Sequence, residues 1–320
     1  MRTPLTTHLI IRNDEEWVEE ALKSVLPLDG YIFVADIGST DNSPYICESY
    51  GAVVKRLSLN HDLSQVRNLM MKTDKQPWQF YLEPWEKVLT GTDEIKKICT
   101  TRGNSQLYRM PVVQGDIITK ETRLWHRESG AKFVHPINET ILGESQEISA
   151  VILQKKVSNR REIHQEIMAK WRERSPLNTN LLYMEACDLL IRKQWKPFLT
   201  KAEHYLFQEK QDLMPITMTR YYMAMVLCYA FSQFETATKY IAACIHSRPL
   251  MAEYWCLLGD IHYKKKDYER AKVFYENAID LGSQRPADEW PIEVQKYRKY
   301  PQQMIQSCKD VISKSREYLG

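Results

Sequence analysis

Between residues 31 and 43 the chain reads Tyr31-Ile32-Phe33-Val34-Ala35-Asp36-Ile37-Gly38-Ser39-Thr40-Asp41-Asn42-Ser43, an apolar run that carries a carboxylate into a polar turn. A strand covered on both faces reads as a continuous apolar run, and an open α/β sheet takes its ligand beyond the carboxyl ends of such strands. Asp36 stands at that edge. Ser43 can cap a following helix, Pro44 suits its first turn and Gly51 its end, so the stretch reads strand, loop, helix. Asp, Gly, Ser and Asn are also ordinary turn residues, and taken alone the stretch fits a ligand site and a plain βα turn equally well.

The neighbouring chain repeats the plan. Leu9 to Ile11 makes a short strand, and Asn13 to Glu16 has the spacing of a capping box that opens a helix. Trp17, Val18, Ala21, Leu22 and Val25 recur at helical spacing until Pro27 closes the segment. Val53 to Leu57 reads as a third strand, Leu63 to Lys72 as a helix bearing Arg67 and Asn68, and Trp78 to Leu82 as a fourth strand running into Glu83, Pro84, Trp85 and Glu86. Strands and helices alternating at this spacing imply right-handed crossovers and a largely parallel sheet. After a short helix from Thr92 to Cys99, hairpin-length strands at Gln106 to Val113, Glu121 to His126 and Lys132 to Ile137 predict a mixed or antiparallel second half.

With 320 residues the chain can build two cores, and composition shifts between them. Beyond about residue 160, Gly and Pro thin out and long helical periodicity takes over. Trp255, Leu258, Gly259, Ala271, Tyr275 and Ala278 have the spacing of a tetratricopeptide unit of about 34 residues. Tyr221, Ala224, Ala237, Ile241 and Pro249 occupy the equivalent positions of the unit before. Residues 180–208 fit less well, with Trp195 in the place of Phe234 and Tyr268 at shifted spacing. Small residues let paired helices approach while large aromatics fill the holes between them, so these positions are core. Pro291 to Leu319 is expected to be a capping helix broken near Pro301. Stacked helix pairs offer a concave surface for a protein partner or for self-association.

A formal charge of +3 without a long Lys/Arg block gives no nucleic-acid footprint. Seven cysteines without a CxxC pair read as reduced thiols, no stretch approaches the ~18 apolar residues of a membrane span, and the first eleven residues lack the pattern of a signal peptide. The expected location is cytoplasmic. There is no Ser/His/Asp triad order, no Walker loop and no zinc spacing among the eight histidines.

Asn13 with Asp14, Asp36-x-Gly38-Ser39-Thr40-Asp41, Ser64-x-x-Arg67-Asn68 and the acidic cluster from Glu83 to Glu86, in this order, resemble the signature of family 2 glycosyltransferases. Glu121-Thr122-Arg123-Leu124 and Phe133-Val134-His135-Pro136-Ile137-Asn138-Glu139 resemble the distal segment of the bacterial subgroup that carries tetratricopeptide helices behind its transferase domain. The resemblance spans about residues 5 to 160 and, separately, the helices. It implies an α/β GT-A domain over residues 1–158 and an all-α tetratricopeptide-like domain over 159–320. It also implies a nucleoside-diphosphate sugar donor, a UDP-sugar first, at the edge of the parallel half-sheet, and a protein, peptide or glycan acceptor. By matching positions Asp36 would bind base or ribose, with Asn13, Ser39 and Asp41 nearby, Arg67 would face base or phosphate, and Glu83 would lie on the donor side. A carboxylate can accept from uracil or ribose hydroxyls, and a guanidinium suits phosphate oxygens.

The acidic cluster departs from the family pattern. Where the family reads Leu-Asp-Ala-Asp-Glu, this chain has Leu82-Glu83-Pro84-Trp85-Glu86, so a tryptophan replaces the aspartate that usually touches the metal. An indole cannot bind Mg²⁺ or Mn²⁺, which want oxygen ligands. The family's His-Glu pair reads Asn138-Glu139, and a further family histidine aligns near Gln154. No residue is therefore assigned as a metal ligand; Lys87, Lys155 or Lys156 are candidates to supply positive charge in place of Mg²⁺ or Mn²⁺, and the alternative is a weakened metal site held by Glu86, or by Glu83 with a water. Inverting transfer needs a carboxylate to deprotonate the acceptor. Glu139 is the first choice, since it keeps the family's Glu position, and Glu86 the second. The rival reading is a non-catalytic transferase-like module that keeps nucleotide recognition or scaffolds a partner through its helices.

Overall fold

In the computed structural model, which describes residues 2–101, 106–154, 161–209, 214–285 and 291–317 (side chains to 315), the chain falls into two compact units, Met1–Arg174 and Ser175–Gly320. The first is an α/β domain on the plan the GT-A resemblance implies, and the second is built of tetratricopeptide-like helix pairs.

The first unit opens with β1 (Leu5–Ile11), α1 (Val18–Val25), β2 (Tyr31–Asp36), α2 (Ser43–Ser49), β3 (Val53–Arg56), α3 (Leu63–Thr73) and β4 (Trp78–Tyr81). It continues with β5 (Glu86–Thr90), α4 (Thr92–Thr100), β6 (Leu107–Gln114), β7 (Ile117–His126), β8 (Phe133–Val134), β9 (Thr140–Ile141), β10 (Ser145–Glu147), β11 (Val151–Gln154) and α5 (Arg161–Arg174). Along the main sheet the order is β3-β2-β1-β4-β7-β6-β11-β5, with β10 also pairing β6. The pairs β3–β2, β2–β1 and β1–β4 are parallel, and β7 turns the sheet antiparallel on β4. The chain runs outward from β1 through β2 to β3 and then returns to place β4 on the other side of β1. That reversal is the topological switch at which open α/β sheets form a crevice.

Alternation assigns the two faces. Leu5, Leu9, Ile11, Val34 and Phe80 share a buried cluster with Val18, Ala21, Leu22 and Val25 of α1 and Cys47 of α2. Fully burying one such aliphatic side chain contributes about 1.5–3 kcal/mol, so this face anchors the sheet. The other face is aromatic and polar. His8 meets the rings of Phe33 and Trp125 edge-on, and Trp125 and Tyr81 both pack on Phe133.

Three local expectations are corrected. β1 begins at Leu5, because Thr6, Thr7 and His8 are buried strand residues and two of them find an acidic partner: His8 Nε2 lies 2.9 Å from Asp74 Oδ2, and Thr6 Oγ1 donates to Asp74 Oδ1 at 3.0 Å. Asn13 does not cap α1. It sits in the left-handed region (φ 57°), and the Asp14 carbonyl receives the amides of Trp17 and Val18 instead. Glu86–Thr90, whose first residue belongs to the acidic cluster, is a strand paired with β11, with Gln154 opposite Glu86.

The second unit holds α6 (Thr179–Ile191) with α7 (Trp195–Gln208), α8 (Met214–Tyr229) with α9 (Phe234–Ser247), and α10 (Ala252–Lys264) with α11 (Tyr268–Gly282). Each pair turns on the same geometry. Lys193, Ser232 and Lys266 take φ of 56°, 53° and 61°, and Gln194, Gln233 and Asp267 then lead into helices that begin with Trp195, Phe234 and Tyr268. Residues 180–208 are thus a helix pair of the same kind. The expected break near Pro301 falls at Arg298 (φ -153°, ψ -62°), between a short 3-10 turn at Val294–Tyr297 and α12 (Lys299–Glu317), whose first turn holds Pro301, where a missing N–H costs no helical hydrogen bond. All seven cysteines are free. No described helix is long and apolar enough to cross a membrane.

The division at Arg174/Ser175 differs from the expected 158/159 by the length of α5. Glu166 of that helix lies 3.6 Å from Arg12 and 3.1 Å from His61, which ties α5 to the first unit. Limited proteolysis is expected to cut first among the exposed Ser175, Pro176 and Leu177. Primary cleavage inside α6 or β2 would refute this boundary.

Candidate active site

The loops after β1 and β2 are bound to each other residue by residue. Asp36, buried at the end of β2, accepts the amides of Gly38 (3.1 Å) and Ser39 (2.7 Å) on Oδ1. Its Oδ2 lies 4.0 Å from Nε of the exposed Arg56, too far for a hydrogen bond. Asn13 Oδ1 accepts the amide of Thr40 at 2.7 Å, and the Asn13 amide donates to Ser39 Oγ at 3.2 Å. Asp41 accepts the Ser43 amide and hydroxyl and the Glu15 amide, and these bonds hold its carboxyl below the usual range against the upward push of partial burial. Gly38 at φ 112° lets the backbone turn back under Asp36. The sequence-predicted Asn13, Asp36, Ser39 and Asp41 therefore come together in one cradle at the carboxyl edge of the parallel strands.

Beside it lies a buried charge network. Arg67 on α3 is almost wholly buried; its Nε donates to Glu139 Oε1 at 2.6 Å and its Nη2 to Glu83 Oε1. Burial alone would lower the Arg67 pKa, but Glu83 and Glu139 raise it overall, so the guanidinium stays charged. Arg123 on β7 is equally buried and grips Glu86 bidentately at 2.8 and 2.9 Å, with a third bond to Glu121 at 2.7 Å. The Tyr81 ring lies 4.4 Å from the Arg67 guanidinium and 4.1 Å from that of Arg123. Such contacts favour a desolvated cation over an aromatic ring. Burial pushes the Glu86 carboxyl up to about 7, against the downward pull of Arg123.

Two motifs of the sequence are one structural unit here. Asn68 exchanges a pair of hydrogen bonds with the Phe133 backbone, both at 2.9 Å, and the Leu63 amide donates to the Pro136 carbonyl. α3 thereby holds the segment that carries Glu139 and presents Arg67 to it.

Glu139, Glu86, Glu83 and Arg67 are thus brought together, but as ion pairs. Arg123, quoted above only as part of a motif, is the partner that sequence reasoning missed. Arg123 sits in the buried end of β7, where a guanidinium needs a carboxylate, and Glu86 supplies it from β5; no sequence signal pointed to the pair, because β5 itself was not expected. Lys87 pairs with Glu20 of α1 at 3.4 Å on the exposed side, while Lys155 and Lys156 lie outside the described residues. Half-buried Trp85 lines a small recess with Trp17 and Lys87.

The residues present do not fit a divalent ion. Among the described residues no group of three or more His, Cys, Asp or Glu is placed to hold one. Glu86 spends both oxygens on Arg123, and Trp85 offers only an N–H donor.

The tetratricopeptide repeat family model matches residues 252–282, the pair α10 and α11. Comparison with the curated proteins gives no match. Among solved structures, the chain is similar to S. aureus TarS 1-349 in complex with UDP-GlcNAc at 12% identity and TM-score 0.41, covering 96% of this chain and 92% of that one. Glucosyl-3-phosphoglycerate synthase from Mycobacterium tuberculosis, in complex with Mn²⁺, UDP and glucosyl-3-phosphoglycerate, matches at 18% identity and TM-score 0.29 over 34% of this chain and 44% of that. The Sgt2 tetratricopeptide domain from Aspergillus fumigatus matches at 16% and 0.35 over 43% and 82%. These scores lie below 0.5, and what the site can do follows from its own residues.

Proposed function

We propose that the first unit is a glycosyltransferase domain that takes its sugar from a nucleoside diphosphate, a UDP-sugar first, and passes it to a protein, peptide or glycan acceptor. The observation that carries this reading is the cradle itself: Asp36, Asn13, Ser39 and Asp41 knit together at the carboxyl edge of a parallel half-sheet beside its switch point. In this reading the nucleoside lies at Asp36, where Oδ2 is left to accept from base or ribose, and Arg67 and Glu83 face the diphosphate side. Glu139 is the base of an inverting transfer, with Glu86 second. The helix pairs recruit the acceptor or a second copy, and the unpaired thiols suit a reducing, cytoplasmic setting.

A specific observation favours the second reading, a nucleotide-binding module without turnover: Glu139 is committed to Arg67 and Glu86 to Arg123. A carboxylate held in a buried ion pair is a poor base until its partner moves away.

Calorimetry with uridine, guanosine and adenosine diphosphates decides whether a nucleotide binds at all. Asp36→Ala is expected to weaken uridine diphosphate binding at least about tenfold, since it removes both a ligand acceptor and the bonds that shape the loop. Equal affinity in Asp36→Ala would remove the site assignment. Release of sugar from UDP-sugars, lost in Glu139→Gln, separates the enzyme from the silent module.

A further inference from the structure

We propose that two buried guanidinium groups, those of Arg67 and Arg123, stand in place of a divalent cation, so that this site binds its nucleoside diphosphate without Mg²⁺ or Mn²⁺ and becomes a cation site only when a guanidinium is removed. The diphosphate half rests on the nucleotide reading above; the cation half does not.

The donor set explains why. A hard cation needs several carboxylate oxygens that turn their lone pairs to one point. Here they turn to the arginines. Glu86 Oε1 accepts from Arg123 Nη2, and Oε2 accepts from Arg123 Nη1 and from the Glu83 amide at 2.9 Å. Glu83 and Glu139 meet on Arg67, one through Nη2 and one through Nε. A divalent ion would have to break these charge-assisted bonds and sit beside two buried positive charges already in place. Trp85, between Glu83 and Glu86, cannot help, because an indole carries an N–H donor and no oxygen ligand. The network is also fixed from outside: Asn68 and Leu63 hold the Glu139 segment, and Arg123 is seated against the Tyr81 ring and Glu121. The two guanidinium groups are therefore part of the fold, where they take the place among Glu83, Glu86, Glu121 and Glu139 that an ion would need, and only donors these carboxylates leave over can turn to a phosphate oxygen. Arg67 Nη1 and Arg123 Nε are buried donors that make no hydrogen bond.

The test titrates Mn²⁺ into the full-length protein and reads free ion by electron paramagnetic resonance. The parent is expected to hold no Mn²⁺ tighter than about 1 mM, the weak end of carboxylate sites. Arg123→Met combined with Trp85→Asp leaves Glu86 without its guanidinium and adds an oxygen ligand beside it, so that Mn²⁺ competes with the proton Glu86 would otherwise take, and at pH 8 should tighten binding at least about tenfold. Arg67→Met with Trp85→Asp is the second variant, used if the first does not give a folded circular-dichroism spectrum. In parallel, uridine diphosphate affinity of the parent is measured with chelator and with Mn²⁺, and should agree within about twofold. Tight Mn²⁺ binding by the parent, a folded double variant without gain, or uridine diphosphate affinity that rises tenfold with Mn²⁺ would each overturn the proposal. If uridine diphosphate binds under neither condition, the nucleotide reading and the diphosphate half fall together, and the Mn²⁺ titrations judge the cation half.

Discussion

Replacing Arg123 with Met is expected to destabilise the first unit by about 3–5 kcal/mol near pH 9 and by only about 1 kcal/mol near pH 6. The residue holds both oxygens of Glu86 in a site where both side chains are almost wholly buried. Removing one partner of a buried pair leaves the other charge without compensation, and the group responds by taking a proton. Burial already raises the Glu86 carboxyl from 4.5 to about 7 with Arg123 opposing it, so without Arg123 it rises further. The sign follows from linkage. A carboxyl with a raised folded value contributes stability fully present below its unfolded value and lost as pH rises through the folded one. Parent and variant therefore lose stability together from about pH 4.5 towards 7. Above 7 the parent has released its proton while the variant has not, and the gap widens by about 1.4 kcal/mol per pH unit. Amide hydrogen exchange in β4 and β7 reads this unit selectively. Equal losses at both pH values would show that Glu86 is not the cause, and Arg123→Met/Glu86→Gln should flatten the pH dependence because the remaining side chain carries no charge.

That network also marks where the sequence stops being legible. Local order was readable: the apolar run into Asp36, the helix with Pro44 in its first turn, the periodic faces of α1 and α3 and the aromatic positions of the repeats all follow from neighbours along the chain, although Asn42 and not Ser43 holds the capping position of α2. The cradle was readable too, since the residues that form it cluster after two consecutive strands. Pairing across long separations was not. Glu86 meets Arg123 across 37 positions and Arg67 meets Glu139 across 72, and a single sequence offers each of these charges many partners. The start of β1 was hidden for a related reason. Thr6 and His8 look like solvent-facing residues until Asp74, 66 positions from His8, supplies the acceptor that lets them be buried. Asn13 illustrates the converse: the capping-box spacing is real, but Thr40 competes for its side chain and pulls the backbone into the left-handed region.

Adding a single methyl group at Gly259 is expected to cost the second unit about 2 kcal/mol, although helix propensity alone favours alanine over glycine by about 1 kcal/mol. Gly259 lies within α10, and a Cβ built there would stand 2.6 Å from the Tyr275 ring on α11, with two more ring carbons at 2.8 Å. The ring has nowhere to go. Tyr275 is fully buried, and its hydroxyl donates to Asp260 Oδ1 at 2.7 Å. Asp260, next in sequence to the glycine, is itself held by the hydroxyls of Tyr300, at 2.5 Å, and Tyr229. Moving Tyr275 aside therefore strains a hydrogen-bonded group that spans α8, α10, α11 and α12, and moving the helices apart opens the core around Ala271 and Cys308. Either response exceeds the propensity gain. Hydrogen exchange should show α10 and α11 losing protection in Gly259→Ala while β1 and β2 keep theirs. Gly259→Ala/Tyr275→Leu should recover part of the loss, since a shorter side chain admits the methyl at the expense of one hydroxyl on Asp260. A Gly259→Ala protein more stable than the parent would mean that the helices slide past one another freely, and that the small residue at this position of the repeat is not there for the close approach of its partner.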